Sequence, residues 1–203
     1  MASMIEIELK KLRNIWNFLP PKPDFIIVGE MHGSQQNAPL IEKFAQALLT
    51  QAPHITIAFE WTISDTEFDV IRNYIHEGTV PEKLPIFFLD SDGRVTCEHF
   101  DLLKWIRSYN MEHDGSIDIC AFDTSLDNGD SEQMLANALL SSKARNPGAL
   151  FLVETGNMHA RNVVYTSNDE ECVPMAAILK ETNSVFSVFV KYLAGKVLVE
   201  GTP

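Results

Sequence analysis

The chain has 203 residues, 45% of them hydrophobic and 22% charged, which describes one globular domain with a sizeable core and excludes a disordered or collagen-like chain. No apolar run approaches the roughly 20 residues a membrane helix needs. Sixteen Lys and Arg stand against 28 Asp and Glu, a net charge of −12, so neither a phosphate backbone nor an anionic membrane is an expected partner.

The chain opens with "MASMIEIELKKLRNIW", where charged residues interrupt the apolar stretch a secretory signal requires. Cys97, Cys120 and Cys172 are too few and too scattered for a disulfide framework, so a reducing cytoplasm and free thiols are expected. Ile5, Leu9, Leu12 and Trp16 recur at helical spacing until "LPPKP" stops the helix and hands over to "DFIIVG", a buried-strand run. Pro39 opens a helix through "LIEKFAQALL", and "HITIAFE" is a second strand. Ser64 and Glu67 form a capping box at the head of "DTEFDVIRNYIH". Residues 79–96 hold two prolines, a glycine and no period, and read as a loop or lid. Then follow a helix in "CEHFDLLKWIRSYN" with Phe100, Leu103 and Ile106 on one side, a strand in "SIDICAFD", a helix in "SEQMLANALLSSKA" and a strand in "GALFLVE". A helix in "VPMAAILKE" and a hairpin, "SVFSVFVKYL" then "KVLVEG", close the chain.

Strands alternating with helices predict a single α/β domain over residues 1–203. The sheet is mostly parallel, has helices on both faces, and carries the C-terminal antiparallel hairpin at its edge. Parallel strands end on one side, which gathers Glu30 and His32, Glu60, Asp123, and His159 with Arg161 at the edge where such sheets bind ligands. Two Gly-x-x-His segments, Gly29 to His32 and Gly156 to His159, mark the first and the last of these ends. His32 is the expected general base or ligand, with Glu30 or Glu60 orienting it. His159 is a second base or ligand, and Arg161 a fork for an oxyanion. His32, Glu30, Glu60 and His159, with Asp123 as a further candidate, equally suit Zn, Mn, Co or Fe with a position left for water. His54, His76, His99 and His113 read as ordinary surface or strand-start residues, and Trp16, Trp61 and Trp105 as core or pocket wall. Asp90 and Asp92 lack the glutamate an EF-hand requires, and no G-x-S-x-G elbow supports Ser34 as a nucleophile.

"VGEMHG", the strand ending in Glu60, "EHFDLLKWIRSYN" before "IDICAFD", and "GNMHAR" together resemble the erythromycin esterase-like, ChaN-like and Tiki/TraB superfamily from about Asp24 to Arg161. Both Gly-x-x-His motifs are closer to the Tiki and ChaN branches than to the esterases. That resemblance implies either a hydrolase cleaving an ester, lactone or amide of a small molecule or peptide, by histidine or by metal, or a haem-binding protein with His32 or His159 as axial ligand. An inactive scaffold is the third reading it admits. Substrate and oligomeric state lie beyond the sequence.

Overall fold

The computed structural model describes residues 9–77, 93–123, 132–167 and 169–190. Five strands, β1 (Phe25–Glu30), β2 (Ile55–Phe59), β3 (Ile117–Ala121), β4 (Leu150–Gly156) and β7 (Val185–Phe189), form one parallel sheet in the order β3-β2-β4-β1-β7. A separate antiparallel pair, β5 (Tyr165–Ser167) and β6 (Glu170–Cys172), stands apart from it. The helices are α1 (Asn37–Leu48), α2 (Asp65–Glu77), α3 (Cys97–Glu112), α4 (Glu132–Arg145) and α5 (Met175–Lys180), preceded by a 3-10 segment, Leu9–Asn17.

The residue alternation of each strand divides the core in two, because successive side chains point to opposite faces. Ile26 and Val28 of β1, Ile57 and Phe59 of β2, and Leu150 and Leu152 of β4 meet the 3-10 segment, α1, α2 and α3. Phe25, Ile27, Ala58, Phe151 and Val153 face the other way, onto α4 and α5. The order of the strands explains the division. From β1 through β2 to β3 the chain moves across the sheet in one direction, and from β3 through β4 to β7 it returns. Crossovers of one hand travelling in opposite directions must run over opposite faces. β1 and β4 are neighbours, Phe25 beside Phe151 through Glu30 beside Gly156, yet the chain leaves them toward different faces. A crevice opens between them, and it is where ligands of open α/β sheets bind.

Several elements follow the sequence closely. The reciprocal Ser64 and Glu67 bonds begin α2 as read. Others differ. The segment before β1 is 3-10 rather than α, with a kink at Asn14, and it is anchored by Leu12, Ile15 and a Trp16 indole N–H donated to the Ala47 carbonyl at 3.1 Å. The β5–β6 pair was not legible in its polar sequence. β7 is the expected edge strand, but it pairs parallel to β1. The second arm of the expected hairpin lies outside the described residues, as do Ile5, Asp90, Asp92 and most of the expected lid, residues 79–92. Among the described residues no helix is long and apolar enough to cross a membrane.

Candidate functional site

Gly29 is the penultimate residue of β1 and Gly156 the last of β4, and the chain turns off each strand into a short loop that carries a histidine over the sheet edge. Gly29 has no room for a side chain: a Cβ would lie 2.7 Å from the Cβ of Ala160. That close packing seats the β4 loop directly beside the β1 loop. A Cβ on Gly156 would lie 3.1 Å from His32 Nε2 and 3.5 Å from His159 Cδ2, so this glycine is the floor on which both imidazoles rest. We expect Gly156→Ala to push the two rings apart by tenths of an ångström, with the melting temperature close to that of the parent protein, as imidazole chemical shifts and a thermal scan would report.

Each imidazole is backed by a carboxylate. His32 Nδ1 lies 2.5 Å from Glu30 Oε1, an ion pair rather than an aligned hydrogen bond. Glu30 is buried, and its other oxygen accepts from the Asn37 amide, which also donates to the Met31 carbonyl at 3.0 Å. His159 Nδ1 lies 3.0 Å from Glu132 Oε1. The outer nitrogens then converge on one oxygen: Glu60 Oε1 is 3.8 Å from His32 Nε2 and 3.6 Å from His159 Nε2. The other oxygen of Glu60 accepts from Thr155 Oγ at 2.5 Å and the Gly156 N–H at 2.9 Å, which fixes the carboxylate between the rings. Glu30, His32, Glu60, Trp61, Arg94 and Glu154 line a small cleft with room for roughly one water.

The charges in this cleft shape one another. The Glu30 carboxylate beside His32 raises its imidazole above the ordinary 6.5, helped by Glu60 and opposed by burial and by Arg94. Burial lifts Glu30 above the usual carboxylate range; His32 pulls the other way, and the neighbouring Glu154 adds to the rise.

The structure brings together four of the residues expected from sequence, Glu30, His32, Glu60 and His159, and turns Arg161 away. Arg161 lays its guanidinium over the Tyr165 ring at 4.4 Å, so the cation of the cleft is Arg94 instead. Arg94 Nε is 3.3 Å from Glu60 Oε1, and Nη1 donates to Asp123 Oδ2 at 3.0 Å. Asp123 also accepts from Thr62 on the same oxygen, so its carboxylate braces Arg94. More broadly, among the described residues no group of three His, Cys, Asp or Glu side chains is arranged to hold an ion. One oxygen of Glu30 is engaged by Asn37 and one of Glu60 by Thr155 and the Gly156 backbone, while the remaining oxygens, Glu30 Oε1 and Glu60 Oε1, face the imidazoles and Arg94.

Arg94 was hidden because it sits at the end of the apparent lid. Its position comes from backbone: the Gly33 N–H donates to the Gly93 carbonyl at 2.6 Å, and both glycines hold left-handed φ values of 80° and 90°. Gly33, directly after the first motif, and Gly93, directly before Arg94, were the available signal. His99 is a second correction. It is 1% exposed, not a surface residue, and it caps α3 from within: its Nδ1 accepts the Thr96 N–H at 3.0 Å. Nε2 is therefore the donor, 3.2 Å from both oxygens of Glu154 in the middle of the sheet edge. Phe59 and Trp61 meet the ring edge-on at 6.1 and 5.6 Å. Ser34 is buried and its hydroxyl accepts the Gln36 N–H.

No family model and no curated protein matches the chain. Among solved structures it is similar to RRSP, a MARTX toxin effector domain from Vibrio vulnificus CMCP6, at 18% identity and a TM-score of 0.55, over 84% of this chain and 34% of that one. A structure described as bacterial protein toxins matches at 15% identity and a TM-score of 0.51, over 86% of this chain and 40% of the other. The chain thus spans well under half the length of either. The type III effector HopBA1 shares 16% identity at a TM-score of 0.45, over 68% of this chain and 69% of that one. The first two of these neighbours overturn the resemblance drawn from the two Gly-x-x-His motifs: they are bacterial toxin structures, not erythromycin esterase-like, ChaN-like or Tiki/TraB proteins. Short motifs at strand ends recur wherever a parallel sheet needs a tight turn and a polar group at its edge, so they carry less family information than their order suggested. At such identities the likeness is one of fold, a parallel α/β sheet shared with bacterial toxin domains.

Proposed function

We propose that the cleft is a hydrolytic site in which His32 acts as general base on a water, cleaving an ester, lactone or amide bond of a small molecule or peptide. The observation that supports this is the pairing of His32 Nδ1 with buried Glu30, which leaves Nε2 directed into a cleft the size of one water. His32 Nε2 takes a proton from that water, the oxygen attacks the carbonyl carbon, and the negative charge that develops on the carbonyl oxygen meets Arg94. Glu60, held by Thr155 and Gly156, keeps His32, His159 and Arg94 in register. Haem binding was carried by the family resemblance and goes with it. A reducing, cytoplasmic setting is part of the same proposal, supported by three free thiols, of which burial pushes Cys120 up to about 12.

The test is a hydrolysis screen followed by a pH profile of kcat/KM. The base form of His32 is the neutral imidazole, and its pKa lies above 6.5, so activity should rise with pH through a midpoint above 6.5. Glu30→Gln removes the carboxylate that holds the proton and should bring the midpoint down toward 6.5. For stability the sign is opposite: the His32–Glu30 attraction is complete below about 6.5 and is lost as pH rises through the folded value. Turnover should survive chelation. A profile flat across this range, or loss of activity with chelator and its return with Zn, Mn or Co, would remove His32 as the base.

A further inference from the structure

We infer that Glu132 is a positioning residue that makes His159 a second working imidazole, opposed to His32 across Glu60; this rests on the hydrolytic reading of the cleft. Glu132 is the first residue of α4, far from both Gly-x-x-His motifs in sequence, and its side chain joins three elements. One oxygen lies 3.0 Å from His159 Nδ1, and the other accepts the Met175 N–H, at the first turn of α5, at 2.7 Å. The His159 carbonyl in turn accepts the Ala176 N–H at 3.1 Å, so the ring and its backbone are clamped to the same helix end.

A neutral imidazole has one donor nitrogen and one acceptor. A carboxylate is acceptor-only, and Glu132 at 3.0 Å is within hydrogen-bond distance while Glu60 at 3.6 Å is not, so Glu132 holds the proton of His159 on Nδ1 and leaves Nε2 as the nitrogen that exchanges protons. His32 Nδ1 likewise faces a carboxylate, Glu30 Oε1 at 2.5 Å, and both Nε2 atoms lie within 3.8 Å of the same Glu60 oxygen. Two carboxylate-backed imidazoles meeting at one point form an acid–base pair. In the hydrolysis, His32 Nε2 receives the proton of the attacking water while protonated His159 gives its Nε2 proton to the leaving oxygen or nitrogen as the bond from carbonyl carbon breaks. Glu60 Oε1, within 3.8 Å of both nitrogens, then lies on the path that returns the proton from His32 to His159. One proton enters the pair and one leaves, and no other reactant is needed.

Long-range ¹H–¹⁵N spectra of the whole chain, recorded above the imidazole titration range and assigned with His32→Ala and His159→Ala, report the tautomer directly. The expected result is an Nδ1–H signature for His159 that becomes a mixture of tautomers in Glu132→Ala, with the His99 signature unchanged. In Glu132→Gln one carbonyl oxygen faces two donors, His159 Nδ1 and the Met175 N–H, and the tautomer shift should be partial. On a substrate found by screening, Glu132→Ala should lower kcat about 10²-fold with KM within about twofold, and Glu132→Gln less. An Nε2–H signature in the parent protein, or an Nδ1–H signature that persists in Glu132→Ala, overturns the inference whether or not any substrate is known. A tautomer shift with kcat unchanged also overturns it, while leaving His32 as the base. Loss of turnover on His32→Ala with normal turnover on His159→Ala does the same. An unaltered rate in His32→Ala, by contrast, is the failure of the hydrolytic reading itself.

Discussion

His32→Ala is expected to lower hydrolysis at least about 10²-fold while the protein stays folded. The side chain is 36% exposed, stands on a turn beyond β1 and contributes nothing to either apolar core, so its truncation removes little packing. Its removal also leaves Glu30 with the Asn37 amide, so the buried carboxylate keeps a hydrogen-bond partner. The chemical loss has no such compensation, since His159 is held by a different carboxylate on the far side of Glu60. His76→Ala is the control. That ring pairs with Asp118 at 3.3 Å on the partly exposed face of α2, where Arg72 also reaches the same oxygen. Surface pairs of this kind are worth about 0–1 kcal/mol, so turnover should be unchanged and the melting temperature nearly so. Equal turnover in both variants would reject the site.

His99→Ala is expected to be the most destabilising substitution of a titratable residue near the cleft, at about 3 kcal/mol. The loss has a specific origin. Glu154 is buried within β4 and both of its oxygens face His99 Nε2 at 3.2 Å, so removing the ring leaves a carboxylate in the core without its donor. The same change removes the acceptor of the Thr96 N–H and so uncaps α3, and it opens a cavity against Phe59 and Trp61. For a chain of this size the melting temperature should fall by roughly 10 °C. The decisive measurement is the double-mutant cycle. If the stranded carboxylate is the cause, His99→Ala with Glu154→Leu should be more stable than His99→Ala alone. If the double variant is no better, packing around the ring rather than the buried carboxylate accounts for the loss.

The positions that the sequence revealed are those for which strand direction is sufficient. Once "DFIIVG", "HITIAFE" and "GALFLVE" are read as parallel strands, Glu30, His32, Glu60 and His159 must leave the sheet on one side, because all parallel strands end there. The two faces of the core were also legible, since buried β-branched and aromatic runs alternate with amphipathic helices. Family membership was not legible: four-residue motifs record a local backbone need, and the wider fold placed the chain beside toxin domains instead.

What only the tertiary structure decided is which charged groups meet. Arg94, His99, Glu132 and Glu154 come from a loop end, a helix start, another helix start and a strand interior, and no local period marks any of them. Arg161 is two residues from His159 yet turns to Tyr165, while Glu132, 27 residues away, reaches the imidazole. Hydrophobic burial is nearly indifferent to which neighbour covers an apolar surface, so it writes itself into the sequence as a period. A hydrogen bond is made only when two particular atoms arrive within about 3 Å in the correct orientation, and that depends on register and helix placement fixed by the whole chain.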